Sequence, residues 1–545
     1  MTRENKMRLK TTQSRVKLHL LGSAGDVTGS LILFEVFSEQ AVIRFLLEVG
    51  LHQDDDNLNR CHRLPKGLKA KDINFAIISH AHIDHSGYLP KLIKEGFEGP
   101  VYTHAATKDL LRFLLPDSGN LQERAAEREN ERNGLKTETT GSRGFARRGK
   151  NSKHTTNSGA ATNAKTQLAT KSGAGNTRDT KRATTSGDSK GRVYPLYTAA
   201  EARRSLEFIK TLQYDRLYKL AEGVSCKFTE ASHILGAAVV TLVLGTGKSK
   251  KTVCFTGNVG RNGMPFLKDL TPVLEADYII TESTYGNKLH AKRDRLAVLA
   301  DIVNDAYKRA KRRDPKEGCG VIVLPAFAVG RVQTVVYDLA RAMEKGMIPN
   351  IPVFLDSPMA VEATKVHRKH VGLYNEEAKK LVARGIDPFK TPRYVEIKGW
   401  AQSRELDKPA SEPIILIGSS GMAAGGRILG HIEKRLDRAE NTIVFVGYQG
   451  TGALGYTLVN EKPSEVTIHD KVVKVRAKIE YMSDYSGHAD YSEIIDWLKK
   501  FRRKPKKVFL VHGDPEALTA FKGHIGEALP DWNVVIPSAR NCFEL

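Results

Sequence analysis

Cysteine is scarce in this chain. Its 545 residues include five, Cys61, Cys226, Cys254, Cys319 and Cys542, and no two form a C-x-x-C pair. That excludes a disulfide-built scaffold and a cysteine zinc site, and it fits a reducing compartment. Long apolar runs are missing too. No stretch approaches a membrane span, and residues 1–10 are polar and basic, without the apolar centre of a secretion signal. A soluble, cytoplasmic protein with no membrane partner is expected. Acidic residues are outnumbered: 62 Asp and Glu stand against 85 Lys and Arg, a formal charge of +23. Such an excess favours polyanionic partners, nucleic acid first. Part of it is local, since residues 138–192 hold twelve Lys/Arg and three Asp/Glu.

That same segment is poor in apolar side chains. Phe145 is its one aromatic residue and Leu168 its one large aliphatic. It cannot bury enough apolar area to offset the entropy of ordering, so it is expected to be disordered. Two roles remain open for it: a tolerated surface insertion, or a basic arm that adds salt-dependent affinity for nucleic acid.

What the sequence does have is Ser79-His80-Ala81-His82-Ile83-Asp84-His85-Ser86-Gly87. The apolar run Ile73 to Ile78 before it is expected to be a buried strand, and Tyr88 to Lys94 after it a short helix. The cluster therefore belongs to a strand-to-helix turn at the end of a sheet. Such a turn can aim His80 and His82 at one ion, and Asp84 and His85 at another. Imidazoles and a carboxylate suit zinc, and paired ions suit phosphoester hydrolysis.

Around the cluster, residues 15–50 have the pattern of two or three strands. Ala105 to Leu115 is expected to be a helix, and the charged run from Asn120 to Asn133 a second, solvated one. Thr198-Ala199-Ala200-Glu201 fits a capping box. From about 287 to 457 the chain alternates strand, glycine-rich turn and helix, the pattern of a parallel, doubly wound α/β sheet. Its turns include Gly330-Arg331, Gly418 to Arg427 and Gly447 to Gly455. Such turns can bring backbone N–H groups against an anion at a helix N-terminus. Val466 to Ile468 and Val472 to Ile479 are expected to pair.

The H-x-H-x-D-H cluster resembles the second signature motif of the metallo-β-lactamase superfamily. His233, Glu282-Ser283-Thr284-Tyr285-Gly286, His488 and His512-Gly513-Asp514 narrow the resemblance to the β-CASP nucleases. It covers nearly the whole chain apart from the insertion. It implies a metallo-β-lactamase αββα sandwich carrying an inserted doubly wound α/β β-CASP domain. The expected division is a first sandwich part at residues 1–280, the β-CASP domain at 281–457 and the rest of the sandwich at 458–545. The resemblance implies two zinc ions. His80, His82 and His233 would hold one, and Asp84, His85 and His512 the other. Asp84 would also belong to the catalytic group, with His488 as general acid oriented by Glu282. Arg331, Ser419, Ser420, Gly421, Met422, Gly447 and Tyr448 would contact RNA phosphates, in line with single-stranded RNA as substrate. The resemblance allows a homodimer. It leaves open whether cleavage is internal or from a 5′ end.

Two positions depart from the family pattern. Glu48 stands where the family usually has Asp, yet it can still reach and orient a ligand imidazole. Asn258 stands where the family has an Asp bridging both ions. A neutral amide offsets less of the repulsion between two dications, so weaker occupancy of one zinc site, slower turnover or both are expected. The alternative is a catalytically weakened or inactive RNA-binding homologue.

Overall fold

The computed structural model describes residues 15–39, 41–52, 64–135, 185–187, 191–312, 314 and 316–545. Most of the segment expected to be disordered lies outside the described residues. Within it, Thr185–Gly187 pairs antiparallel with Val193–Pro195.

Two seven-stranded sheets face each other. The first runs, in spatial order, Cys542–Glu544, Arg15–Leu20, Leu31–Phe37, Val42–Val49, Phe75–Ile77, Val101–His104 and Ile209–Leu212. The second runs Val534–Val535, Lys507–Val511, Tyr278–Glu282, Lys251–Phe255, Ala238–Leu244, Val224–Glu230 and Leu217–Ala221. Successive side chains on a strand face opposite ways, and the burial follows that period. Phe45 and Leu47 enter the core between the sheets with Phe34, Phe228, Val240 and Phe509. Leu46 and Val49 pack on the other side with Leu89 and Leu110 from covering helices. Phe45 stacks between Phe34 and Phe75 at 5.1 and 4.8 Å. Burying such a ring contributes roughly 3 kcal/mol. With helices outside each sheet, this is the αββα sandwich.

The third sheet is six-stranded and wholly parallel, in the order Tyr394–Glu396, Val353–Leu355, Ile414–Gly418, Val321–Pro325, Thr442–Val446 and Lys478–Met482. Of its inner strands, Val321–Pro325, Ile414–Gly418 and Thr442–Val446 are buried at every position, because both faces are covered. Ile322 and Leu324 meet helices Arg295–Ala310 and Arg331–Glu344. Val321 and Val323 meet Gly426–Glu433. Parallel pairing puts all the carboxyl ends on one edge, where ligands bind in open α/β sheets. That edge is turned toward the Ser79–His85 turn.

Two local expectations fail. Ala105 to Leu115 and Asn120 to Asn133 are one helix, Ala105–Arg132, which continues through Pro116. Proline costs it a hydrogen bond and crowds the previous turn. Buried Leu110, Leu111, Leu114 and Leu115 hold the first half, and Asn130, bonded to both backbone groups of Val193, anchors the second. The second half is therefore not purely solvated. The later pairing is also shorter. Glu465–Ile468 pairs with Lys471–Lys474 across His469 and Asp470, both at positive φ. The N–H groups of Arg476 and Ala477 then turn to Leu436 O, and Lys478–Met482 joins the third sheet instead.

Candidate active site

Strand Phe75–Ile77 ends beneath the cleft and delivers Ser79–His85 as a buried turn. The Nδ1 of His80 lies 2.9 Å from Ser79 Oγ. His82 precedes helix Ile83–Ser86, and its Nδ1 is 3.1 Å from His233 Nε2. His233 comes from the turn after Val224–Glu230, where Ser232 sits at φ 58° and donates its N–H to Glu230 Oε1 at 2.9 Å. Gly260 passes so close to Ser232 O that a Cβ there would stand 1.7 Å from it. His233 Nδ1 donates to Gly487 O at 2.9 Å, which sets its tautomer and leaves Nε2 as a lone-pair donor. One ligand atom from each of His80, His82 and His233 lies within 4.8 Å of the others. Burial holds His80 and His233 well below the ordinary imidazole range and His82 at about 4. These are neutral rings at neutral pH.

Asp84, His85 and His512 form a second group by the same measure. His512 Nε2 lies 3.2 Å from His85 Nε2 and 3.3 Å from Asp84 Oδ2. His512 ends strand Lys507–Val511 in the left-handed region, and Thr284 Oγ1 sits 3.0 Å from its Nδ1. His85 Nδ1 is 2.9 Å from Glu48 Oε2, while Glu48 Oε1 accepts the Ser79 N–H at 2.8 Å. Burial opposes a charged His85, but Asp84 and Glu48 outweigh it and push its pKa up to about 10. Burial likewise opposes a charged Asp84, and the His85 and His512 rings hold its carboxyl well below the usual range. The groups adjoin: the His80 and His85 rings are 4.1 Å apart.

His488 stands on the open side, its ring 4.6 Å from that of His233. Its Nδ1 donates to Glu282 Oε2 at 2.8 Å, and the other oxygen of Glu282 accepts the Val259 N–H. His290 Nε2 donates to His488 O at 2.9 Å. His290, Asp490 and Glu493 also converge, but Asp490 caps helix Tyr491–Leu498 and Glu493 closes that capping box, so both carboxylates are already engaged by backbone.

Profiles of three families match the chain: the metallo-beta-lactamase superfamily over residues 29–155, the Beta-Casp domain over 332–458 and the Zn-dependent metallo-hydrolase RNA specificity domain over 472–537. The chain is 27% identical over 500 residues to a protein named Ribonuclease TTHA0252 from Thermus thermophilus, covering 92% of this chain and 93% of that one. It is 26% identical over 513 residues to Transcription termination factor FttA from Methanosarcina mazei, covering 92% and 67%. An RNase J-like protein of Methanocaldococcus jannaschii is 28% identical over 319 residues, 58% of this chain and 70% of that protein. The chain carries the domains of the β-CASP nucleases.

The β-CASP fold implies a metal, and the donor sets can be tested against it. Buried neutral imidazoles in one triad, and a carboxylate with two imidazoles whose Nε2 atoms face each other in the second, suit a divalent ion such as zinc. Position 258 fits less well. Asn258 is buried, with Nδ2 3.4 Å from His80 Nε2, and its Oδ1 has no partner. The atom placed toward the cluster is the amide nitrogen; turning the amide over would bring the orphaned carbonyl there, which suits a cation but brings no charge between the triads.

The β-CASP loops flank this floor. Arg331 opens helix Arg331–Glu344 beside His233: a Cβ on Gly487 would stand 2.6 Å from its Nη2 and 3.4 Å from the His233 ring. Burial pulls the Arg331 guanidinium down to about 10, and the groups acting on it most are Tyr285, Tyr485, Arg295 and Arg261, none a carboxylate. Among the described residues its Nε has no hydrogen-bond partner. Gly447 approaches the same Nε, and the Tyr448 ring lies 6.2 Å from Tyr285, itself 6.2 Å from His488. Ser419, Ser420, Gly421 and Met422 sit one strand further out, with Ser419 Oγ 2.6 Å from Ser357 Oγ.

Ser79, Thr284 and Gly487 were not singled out from the sequence, though each braces a histidine. A general signal existed, since a ligating imidazole needs a partner for its second nitrogen. Ser79 and Thr284 even lie inside quoted motifs. Which group supplies the partner depends on contacts as distant as 254 residues, as between His233 and Gly487.

Proposed function

We propose that this chain is a zinc-dependent ribonuclease that hydrolyses single-stranded RNA in RNA processing or decay. The observation carrying the reading is the convergence of His80, His82 and His233 with Asp84, His85 and His512 beside a guanidinium with no carboxylate among the groups that act on it most. In this reading each triad would hold one zinc ion, with Asn258 beside His80. When bound, zinc acidifies a water molecule and offsets charge on the phosphoryl oxygens. Glu48 keeps His85 oriented, and Gly487 and Thr284 do the same for His233 and His512. Arg331 supplies the charge-assisted contact to the scissile phosphate. His488, held by Glu282, hands a proton to the leaving oxygen. The loops at 419–422 and 447–448 meet neighbouring backbone phosphates, so base preference is low. The names of the relatives, a ribonuclease and an RNase J-like protein, favour turnover over the purely RNA-binding alternative.

The test is metal analysis of the purified chain together with incubation of labelled single-stranded RNA, with and without chelator. Bound zinc and chelator-sensitive cleavage are expected. RNA binding without cleavage at any zinc concentration would install the non-catalytic alternative.

A further inference from the structure

Trp400 exposes 64% of its surface, an uncommon position for the largest side chain. It opens helix Trp400–Glu405, just after the edge strand Tyr394–Glu396 of the third sheet. One ring face is backed by Arg427, whose guanidinium carbon lies 4.7 Å from the ring centroid.

The backing is rigid. Arg427 Nη1 donates to Asp356 Oδ1 at 2.7 Å. Asp356 is buried, and its other oxygen accepts from His431 Nε2 at 2.7 Å and from Ser403 Oγ. Ser403 lies one turn along the helix that Trp400 opens. A single carboxylate thus fixes both the cation behind the ring and the helix that carries it.

The place matters as much as the shape. Asp356 follows strand Val353–Leu355, and the neighbouring Ser357 touches Ser419. The 419–426 turn is tied to the next by Gln449 Nε2 donating to Gly421 O at 3.2 Å. A continuous row of loops therefore runs along the carboxyl edge from Arg331, beside His233, out to Trp400. Three inter-strand steps separate Val321–Pro325 from Tyr394–Glu396, which amounts to roughly 15 Å. Lys398 and Arg404, exposed and close to Trp400 in sequence, bring positive charge to this end of the edge, against exposed Glu405.

We propose that Trp400, backed by Arg427, is a stacking platform for one nucleobase of the bound RNA, a few nucleotides from the cleavage centre. A π-face with a cation behind it and its other side open suits a base of any identity. The inference rests on the RNA reading above.

The test uses the full chain with zinc and two fluorescein-labelled 12-mers, both phosphorothioate-linked to slow hydrolysis: oligo(A), and an abasic ribose-phosphate strand. Affinity is read by anisotropy, and stacking by tryptophan quenching. Of the three tryptophans, Trp497 is buried and Trp532 partly so. Trp400→Ala is expected to weaken oligo(A) binding about 5- to 100-fold while binding the abasic strand as wild type does. Trp400→Phe is expected to keep most of the affinity and lose the quenching. Equal oligo(A) affinity in wild type and Trp400→Ala, or equal losses on both strands, would overturn the platform alone. Wild type that binds neither strand would overturn the RNA reading and the platform with it.

Discussion

Replacing Asn258 by Asp adds one negative charge at a buried point 3.4 Å from His80. Without metal the change should destabilise. Taking a carboxylate out of water costs several kcal/mol; the adjacent rings of His80, His82 and His233 are held neutral, and the charge on His85 is already matched by Asp84 and Glu48. The new acid would relieve the strain by taking up a proton, so the net loss should be on the order of 1–3 kcal/mol. With zinc the sign should reverse. A unit charge and a dication a few ångströms apart in a site of intermediate dielectric attract by several kcal/mol. Set against desolvation, that leaves on the order of 1.5–3 kcal/mol, or ten- to a hundredfold in zinc affinity. The assay is a pair of melting curves for each protein, one with chelator and one with saturating zinc, beside a zinc titration and RNA turnover. Asn258→Asp should melt below wild type in chelator and above it in zinc, with faster cleavage. If the order of the two proteins is the same in both conditions and zinc affinity is unchanged, the side chain at 258 does not face a metal, and the account of this position is wrong.

Other substitutions probe separate parts of the site. Glu282→Gln keeps an acceptor for Val259 but exchanges the charged acceptor of His488 for a neutral one; single-turnover cleavage should fall on the order of 100-fold with zinc content unchanged. Arg331→Ala removes the cation beside His233 and should weaken RNA binding about 10- to 100-fold in anisotropy without lowering the melting temperature, since no carboxylate ranks among the groups that act on it most. Asp356→Asn should cost about 3 kcal/mol at pH 7 by denaturant titration, because it strands Arg427 among buried partners. Burial alone would raise Asp356, but His431, Ser403 and Arg427 hold it below the ordinary carboxylate range. Its contribution is therefore full above about pH 4 and is lost as pH falls through the native pKa, so the gap between wild type and Asp356→Asn should close in acid.

The parts of the fold legible in the sequence are those with a local cause. Alternation along Arg15–Leu20 and the uniform apolar strands Val321–Pro325 and Ile414–Gly418 announce one-sided and two-sided burial directly. His80, His82, Asp84 and His85 were legible because one turn carries all four. His233, His488 and His512 were not chemically legible alone; a histidine after a strand is ordinary until the strand's place in the sheet is known. The continuous helix through Pro116 and the recruitment of Lys478–Met482 to the third sheet depend on distant partners: Tyr197, which bonds Ser118 and Gln122 of the helix, for the one, and Thr442–Val446 for the other. Periodicity cannot carry that information.

The site divides its labour between two bodies, and Gly487 is where they meet. Its carbonyl fixes His233, a sandwich residue, while its Cα is pressed by Arg331 from the β-CASP helix. The two triads take their ligands from both sheets of the sandwich and none from the β-CASP sheet, so its edge loops other than the one carrying Gly487 after Lys478–Met482 can vary without disturbing a ligand atom. Phosphate and base contacts can be gained or lost along the row from Arg331 to Trp400 while the chemistry stays put. A Cβ at 487 would stand 2.6 Å from Arg331 Nη2 and displace the guanidinium, while meeting the His233 ring at ordinary contact distance, 3.4 Å. The backbone at that one position thus holds the strand-binding edge in register with the histidines, and the rest of the edge is free to decide which strand is held.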